Sequence, residues 1–139
     1  MHHNKQSVVF HFDHTGHSRT NAKLVRIQLT SEFTKVDFGY NARDLYIKGG
    51  WIRMAPDTFI EIVETGQRYP LQLADNIPIA PVQHYFESQK DWRYYSLFFP
   101  PIPQQDCSIN IIEVENGLFR DFNYYGVKLR MEEGMEILE

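Results

Sequence analysis

The chain has 139 residues, of which 14% are aromatic and 23% charged, and its formal net charge is −4. This length predicts a single domain, spanning 1–139, that buries most of its apolar surface without disulfides or metals. Acidic and basic residues are interspersed and no basic run occurs, which disfavours a nucleic-acid partner. No apolar run approaches the length of a transmembrane helix, and residues 1–6 carry no signal-peptide pattern. Because an exported protein trimmed of its signal would look the same, the compartment is left open.

The first third of the chain has three segments in which apolar and polar residues alternate, at 7–13, 23–30 and 33–40. This period-two pattern predicts three half-buried strands. In the second segment, the alternation places Val25 and Ile27 inward and Leu24 outward. The polar residues 14–21 predict a turn between the first two strands.

The middle of the chain contains the clearest hairpin signal. Residues 58–64 and 69–74 are strand-like, and Thr65-Gly66-Gln67 lies between them. Before this hairpin, Gly49-Gly50 breaks the chain and a brief strand is predicted from Trp51 to Met54. After it, the prolines at 78 and 81 predict an extended segment that cannot lie centrally in a sheet.

The run Tyr94 to Phe99 is aromatic or apolar at nearly every position, which predicts a strand buried on both faces. Pro100, Pro101 and Pro103 end it, because proline lacks the N–H that a sheet requires. The next strand, around Cys107 to Ile112, again has period two. A final strand is predicted over 122–129, and the acidic tail 130–139 is expected to be frayed or weakly helical.

Turn signals recur every eight to twelve residues or so, and no helical stripe is present, as is typical of an all-β sandwich. We therefore predict an all-β, immunoglobulin-like antiparallel β-sandwich of about seven to nine strands, with its core at 7–129.

Several segments carry a family resemblance, namely Phe33-Thr-Lys-Val-Asp-Phe-Gly-Tyr40, Gly66-Gln-Arg-Tyr-Pro-Leu71, Ile77-Pro-Ile79, Leu97-Phe-Phe-Pro-Pro-Ile-Pro103 and Ile109-Asn-Ile-Ile-Glu113. The chain resembles an uncharacterised Bacteroidetes-type domain, one of the small immunoglobulin-like β-sandwich domains of the DUF4352 type. The resemblance covers roughly 23–129 and depends on strand and turn patterns. It implies an immunoglobulin-like fold and no assigned catalysis, and it carries over no functional residues. Members of such families are often exported or lipid-anchored.

Three histidines close together in sequence, His11, His14 and His17, lie beside Asp13. Imidazole and carboxylate groups are ligands for zinc, nickel or copper, so a metal-binding protein or a metal-dependent hydrolase is one hypothesis. The alternative is a solvated polar turn, since a shared metal would require residues 14–17 to fold back on the strand. No cofactor is predicted.

Other catalytic patterns are weak. Cys107, the single cysteine, falls in a predicted core strand without a cationic neighbour, which favours a buried and inert thiol. The carboxylates near 57–64, 75 and 113–115 alternate with apolar residues, as solvent-facing strand positions do, and no pair stands out as a glycosidase pair.

The aromatic residues are more numerous than one small core needs, and flat rings on a β-sandwich bind sugars or proteins. The candidate binding residues are Trp51, which follows a glycine pair, Tyr46, Trp92 and Arg93. The competing interpretation is that most of these rings fill the layer between the sheets. The sequence thus favours a non-catalytic binding module with a protein or glycan partner, and the alternatives are the metal hypothesis and carbohydrate binding through exposed aromatics.

Overall fold

A computed structural model describes residues 6–14, 22–41, 51–82, 84–85, 92–113 and 123–138. Twelve strands are present in these ranges, and eight of them have four or more residues. They are β1 (Gln6–His14), β2 (Lys23–Leu29), β3 (Thr34–Asn41), β5 (Phe59–Ile62), β9 (Trp92–Phe99), β10 (Cys107–Ile112), β11 (Tyr124–Leu129) and β12 (Met135–Leu138). Shorter elements are β4 (Trp51–Ile52), β6 (Arg68–Pro70), β7 (Leu73–Asp75), β8 (His84–Tyr85) and the 3-10 helix Met131–Glu133.

Two antiparallel sheets pack against each other, which confirms the all-β sandwich. The first has the order β12-β1-β2-β3-β9-β7, and the second has the order β11-β10-β5-β6. Strands β4 and β8 form a separate pair. Rings from both sheets meet in the core, where the Phe38 and Tyr124 centroids are 5.4 Å apart. The immunoglobulin-like topology stays a prediction. The described part of the chain contains no helix with the length and hydrophobicity needed to cross a bilayer.

Two β-bulges change the expected side-chain directions. The β2–β3 register shifts between Leu24 and Arg26, so that Leu24 and Ile27 are both fully buried. The outward direction predicted for Leu24 was therefore wrong, because one extra residue reverses the alternation. In β11 a shift near Gly126, whose φ is +61°, likewise points both Tyr124 and Val127 into the core.

Strand β9 is not buried on both faces, contrary to prediction. Tyr95, Leu97 and Phe99 are buried, whereas Tyr94 is exposed and Phe98 is only partly buried. The strand lies within the first sheet, and only one of its faces is covered by the second sheet. An exposed aromatic face cannot be distinguished from a buried one by periodicity when both faces are apolar.

Two further segments differ from expectation. The second arm of the predicted hairpin pairs with β5 only as β6, and β7 then joins β9 in the other sheet. The segment 130–139 was expected to be frayed or weakly helical, but it forms a short 3-10 turn followed by β12, which pairs with β1. Pairing supplies the order that the acidic composition of this tail does not predict.

Candidate functional site

A row of five polar residues crosses the outer face of the first sheet. The strand register places His11 opposite Arg26, Arg26 opposite Asp37, Asp37 opposite Ser96, and Ser96 opposite Asp75. Cross-strand partners point to the same side of a sheet, so the five side chains share one face. With strands about 4.8 Å apart, the row spans roughly 19 Å.

Asp37 is the centre of this row. Its Oδ2 accepts a hydrogen bond from Arg26 Nε at 2.7 Å, and its Oδ1 accepts one from Ser96 Oγ at 2.5 Å. Lys35 Nζ lies 3.7 Å from the same Oδ1. The Asp37 side chain is only 15% exposed, whereas that of Arg26 is 43% exposed. The terminal nitrogens of Arg26 have no hydrogen-bond partner among the described residues and face solvent, so they remain able to donate to a ligand.

Beside the row lies a pair of exposed aromatic rings. Trp92 and Tyr94 are 47% and 64% exposed, and their rings are nearly parallel with centroids 6.0 Å apart. Tyr94 is the register partner of Gly39. A Cβ at Gly39 would lie 2.9 Å from Tyr94 Cε1 and 3.7 Å from Trp92 Cζ3. The missing side chain of Gly39 therefore lets both rings lean over β3.

The rim beyond β9 is held in place by hydrogen bonds. Asn76 has a φ of +65°, a conformation that asparagine tolerates better than most residues. Its Nδ2 donates to the Tyr94 carbonyl at 2.5 Å, and its own carbonyl accepts from Arg93 Nε at 2.7 Å. These bonds tie the end of β7 to β9 and fix the position of Asp75.

The row, the rim and Tyr94 together line an open cleft of about 530 Å³. All five residues of the row contribute to it, as do Lys35 and Asn76. The charges balance, because Arg26 and Lys35 oppose Asp37 and Asp75. The cleft therefore offers both hydrogen-bond donors and acceptors without a strong net field.

The cleft contains two carboxylates, Asp37 and Asp75. The register separates Asp37 from Asp75 by two strand spacings, roughly 9.5 Å, near the upper limit for an inverting glycosidase. Both oxygens of Asp37 are already engaged, by Arg26 and by Ser96.

The structure places the predicted binding residues in different roles. Trp92 lies on the outer face next to the cleft, as part of the aromatic pair. Arg93 is half-buried and contacts Asn76, so it positions the rim instead of lining the cleft. The backbone of Trp51 pairs with Tyr85 in β4–β8, and Tyr46 lies outside the described residues.

The structure describes two of the three predicted metal ligands. His11 is exposed at one end of the polar row, and His14 ends β1, with a register shift between the two. His17 lies outside the described residues. The described ranges contain no group of three or more histidine, cysteine or acidic side chains that could hold a metal ion. The histidine hypothesis stays a prediction.

Cys107 and Glu113 were also considered as reactive groups from the sequence. Cys107 is half-buried, and burial, followed by the charges of Glu64 and Asp106, raises the pKa of its thiol. An inert thiol was expected at this position, and a raised pKa agrees with that expectation. Glu113, expected at the surface, is only 2% exposed, and its Oε2 accepts a hydrogen bond from the Ala55 amide at 2.7 Å.

Sequence reasoning missed the residues that form the cleft, apart from His11 and the neighbouring Trp92. The missed residues are far apart in the sequence. Asp37 and Ser96, which are hydrogen-bonded, are separated by 59 positions, and Arg26 and Asp75 lie on two further strands. No local motif joins these four residues, and only the register of the four strands that carry them brings them together.

Comparison of the chain with protein-family models, with curated proteins and with solved structures finds no match. The resemblance to immunoglobulin-like domains of unknown function accordingly stays a prediction, and the candidate site depends on its own geometry.

Proposed function

We propose that the protein is a non-catalytic binding module and that the cleft on its six-stranded sheet binds a carbohydrate. The single observation that carries this proposal is the joining of an exposed, stacked aromatic pair to a row of hydrogen-bonding side chains on one sheet face. Neither feature alone would favour a sugar over other ligands.

A sugar ring has two kinds of surface. Its flat faces carry C–H groups, which pack against aromatic rings because the ring face is electron-rich. Its rim carries hydroxyl groups, which both donate and accept hydrogen bonds. Tyr94 and Trp92 supply the first kind of contact, and Arg26, Ser96 and Asp75 supply the second. Charged donors and acceptors make the stronger hydrogen bonds.

A protein partner is supported less well by the same surface. The centres of protein interfaces are depleted in lysine and aspartate, whereas this cleft contains Lys35, Asp37 and Asp75. Its concave form is typical of a small-ligand site.

The test is a screen of the full chain against a panel of neutral and acidic oligosaccharides, followed by calorimetry on those that bind. We expect Trp92→Ala and Tyr94→Ala each to weaken binding about two- to tenfold, since a lost aromatic contact is worth about 0.5–1.5 kcal/mol. Tyr125→Ala is the matched control, because Tyr125 is equally exposed but lies in the other sheet.

Trp51→Ala tests the alternative that the sugar binds away from the cleft. Loss of binding in Trp51→Ala with unchanged binding in Trp92→Ala would move the site away from the cleft and overturn its assignment. Failure of every sugar on the panel to bind would overturn the proposed function itself.

A further inference from the structure

We infer that the ligand is an uncharged oligosaccharide of about four sugar units, lying across the strands and not along them, because the polar row is roughly 19 Å long. This inference rests on the proposed carbohydrate function and adds to it the class, length and direction of the sugar chain.

The direction follows from the register. All five members of the row line one cleft, so the cleft extends across the strands from β1 to β7. A single sugar ring resting on Tyr94 can reach Ser96 or Asp75. It cannot reach His11, which lies three strand spacings from Ser96, at roughly 14 Å. Only a longer chain contacts both ends of the row.

The uncharged class follows from the charge balance. Arg26 and Lys35 already lie against Asp37, so the two cations are largely neutralised where they stand. Asp75 is exposed at the rim next to Tyr94 and would repel a carboxylate or sulfate bound there. The net charge of −4 for the whole chain also disfavours a polyanion. Sugar hydroxyl groups can accept a hydrogen bond from Arg26 and donate one to Asp75, so they are compatible with both charged side chains.

The rigidity of the rim favours a preformed site. Asn76 is held by Arg93 and by the Tyr94 carbonyl, and Asp37 is held by three neighbours. A ligand therefore loses little affinity to the ordering of side chains. Each additional sugar unit is therefore expected to increase the affinity until the oligosaccharide is longer than the cleft.

The experiment measures the affinity of the intact protein for β-1,4-linked glucose, xylose and mannose oligomers of one to six units. We expect affinity for the sugar that binds to rise at least tenfold from the disaccharide to the tetrasaccharide and then to level off. His11→Ala should lower affinity for the tetrasaccharide at least threefold and leave the disaccharide unchanged. Asp75→Ala should weaken both, and Tyr125→Ala should weaken neither.

The outcomes separate the two proposals. Equal affinity for disaccharide and tetrasaccharide, or tighter binding of oligogalacturonate than of every neutral oligomer, would overturn this inference and leave carbohydrate binding intact. An equal effect of His11→Ala on both lengths would overturn the direction across the strands. Absence of binding to neutral and acidic oligomers alike would overturn the carbohydrate function together with this inference.

Discussion

Gly39→Ala tests whether the Tyr94 ring must lie against β3. The added Cβ would be 2.9 Å from Tyr94 Cε1 and 3.2 Å from Cδ1. Carbon atoms prefer a separation of about 3.5–4.0 Å, so the ring must move by roughly 0.6–1.1 Å. Because Tyr94 is exposed, the ring can tilt into solvent at little cost, and it then loses its alignment with Trp92.

The two consequences of this substitution have different sizes. Alanine in a strand is more favourable than glycine by about 0.5–1 kcal/mol, and this offsets the lost ring packing. We therefore expect the free energy of unfolding to change by less than about 0.5 kcal/mol, which is the usual effect of a surface substitution. Affinity for the oligosaccharide should fall about two- to tenfold, because an aligned aromatic contact is worth about 0.5–1.5 kcal/mol.

Gly134→Ala is the contrasting variant. Its Cβ would overlap Val8 Cγ1 and lie 3.1 Å from Phe10 Cε1, and both of these side chains are only 4% exposed. Neither can move away, so we expect a loss of about 1–3 kcal/mol of stability, as for an overpacked core. Affinity per folded molecule should be unchanged. Urea unfolding and calorimetry measure both quantities, and unchanged affinity in Gly39→Ala, or a stability loss there equal to that in Gly134→Ala, would refute the reasoning.

The remaining predictions concern the core. Tyr124→Phe should cost about 1–3 kcal/mol of stability in urea unfolding, because it removes the buried hydrogen bond from the Tyr124 hydroxyl to the Ala22 carbonyl. Tyr95→Phe should leave stability unchanged or raise it by up to about 1–3 kcal/mol, because it removes a buried hydroxyl that has no hydrogen-bond partner among the described residues; a loss as large as that in Tyr124→Phe would contradict this. Burial raises the pKa of the Cys107 thiol, so iodoacetamide should label the folded protein more slowly than the urea-unfolded protein near pH 8, and the rate should rise as pH increases toward that pKa; equal rates in the two states would refute the prediction.

The predictable part of the fold is the part set by local pattern. Period-two alternation located β1, β2, β3 and β10, and the three prolines after Phe99 correctly ended β9. The proline segment is also fixed by a side chain, because Thr34 Oγ1 donates to the Pro100 carbonyl and accepts from the Ile102 amide. That contact joins residues 66 positions apart and could not be read from the sequence.

The features that the sequence did not predict depend on the register between strands. A bulge at Leu24–Arg26 reversed one face of β2, and the edge pairing of β12 with β1 ordered an acidic tail. The cleft depends on the same kind of information, since a shift of one residue in any of its strands would turn that member of the row into the core. Trp92 was recognised as a candidate by residue type alone, whereas Asp37 carries no local signal.

The most direct measurement is a map of backbone amide chemical shifts in isotope-labelled protein during titration with the neutral oligosaccharide that binds. The largest changes are expected at Arg26, Asp37, Asp75, Tyr94 and Ser96, all on one face of the six-stranded sheet. Largest changes at Glu61 and Asn110, on the other sheet, or no localised change in the presence of a saturating sugar, would contradict the assignment of the cleft as the binding site.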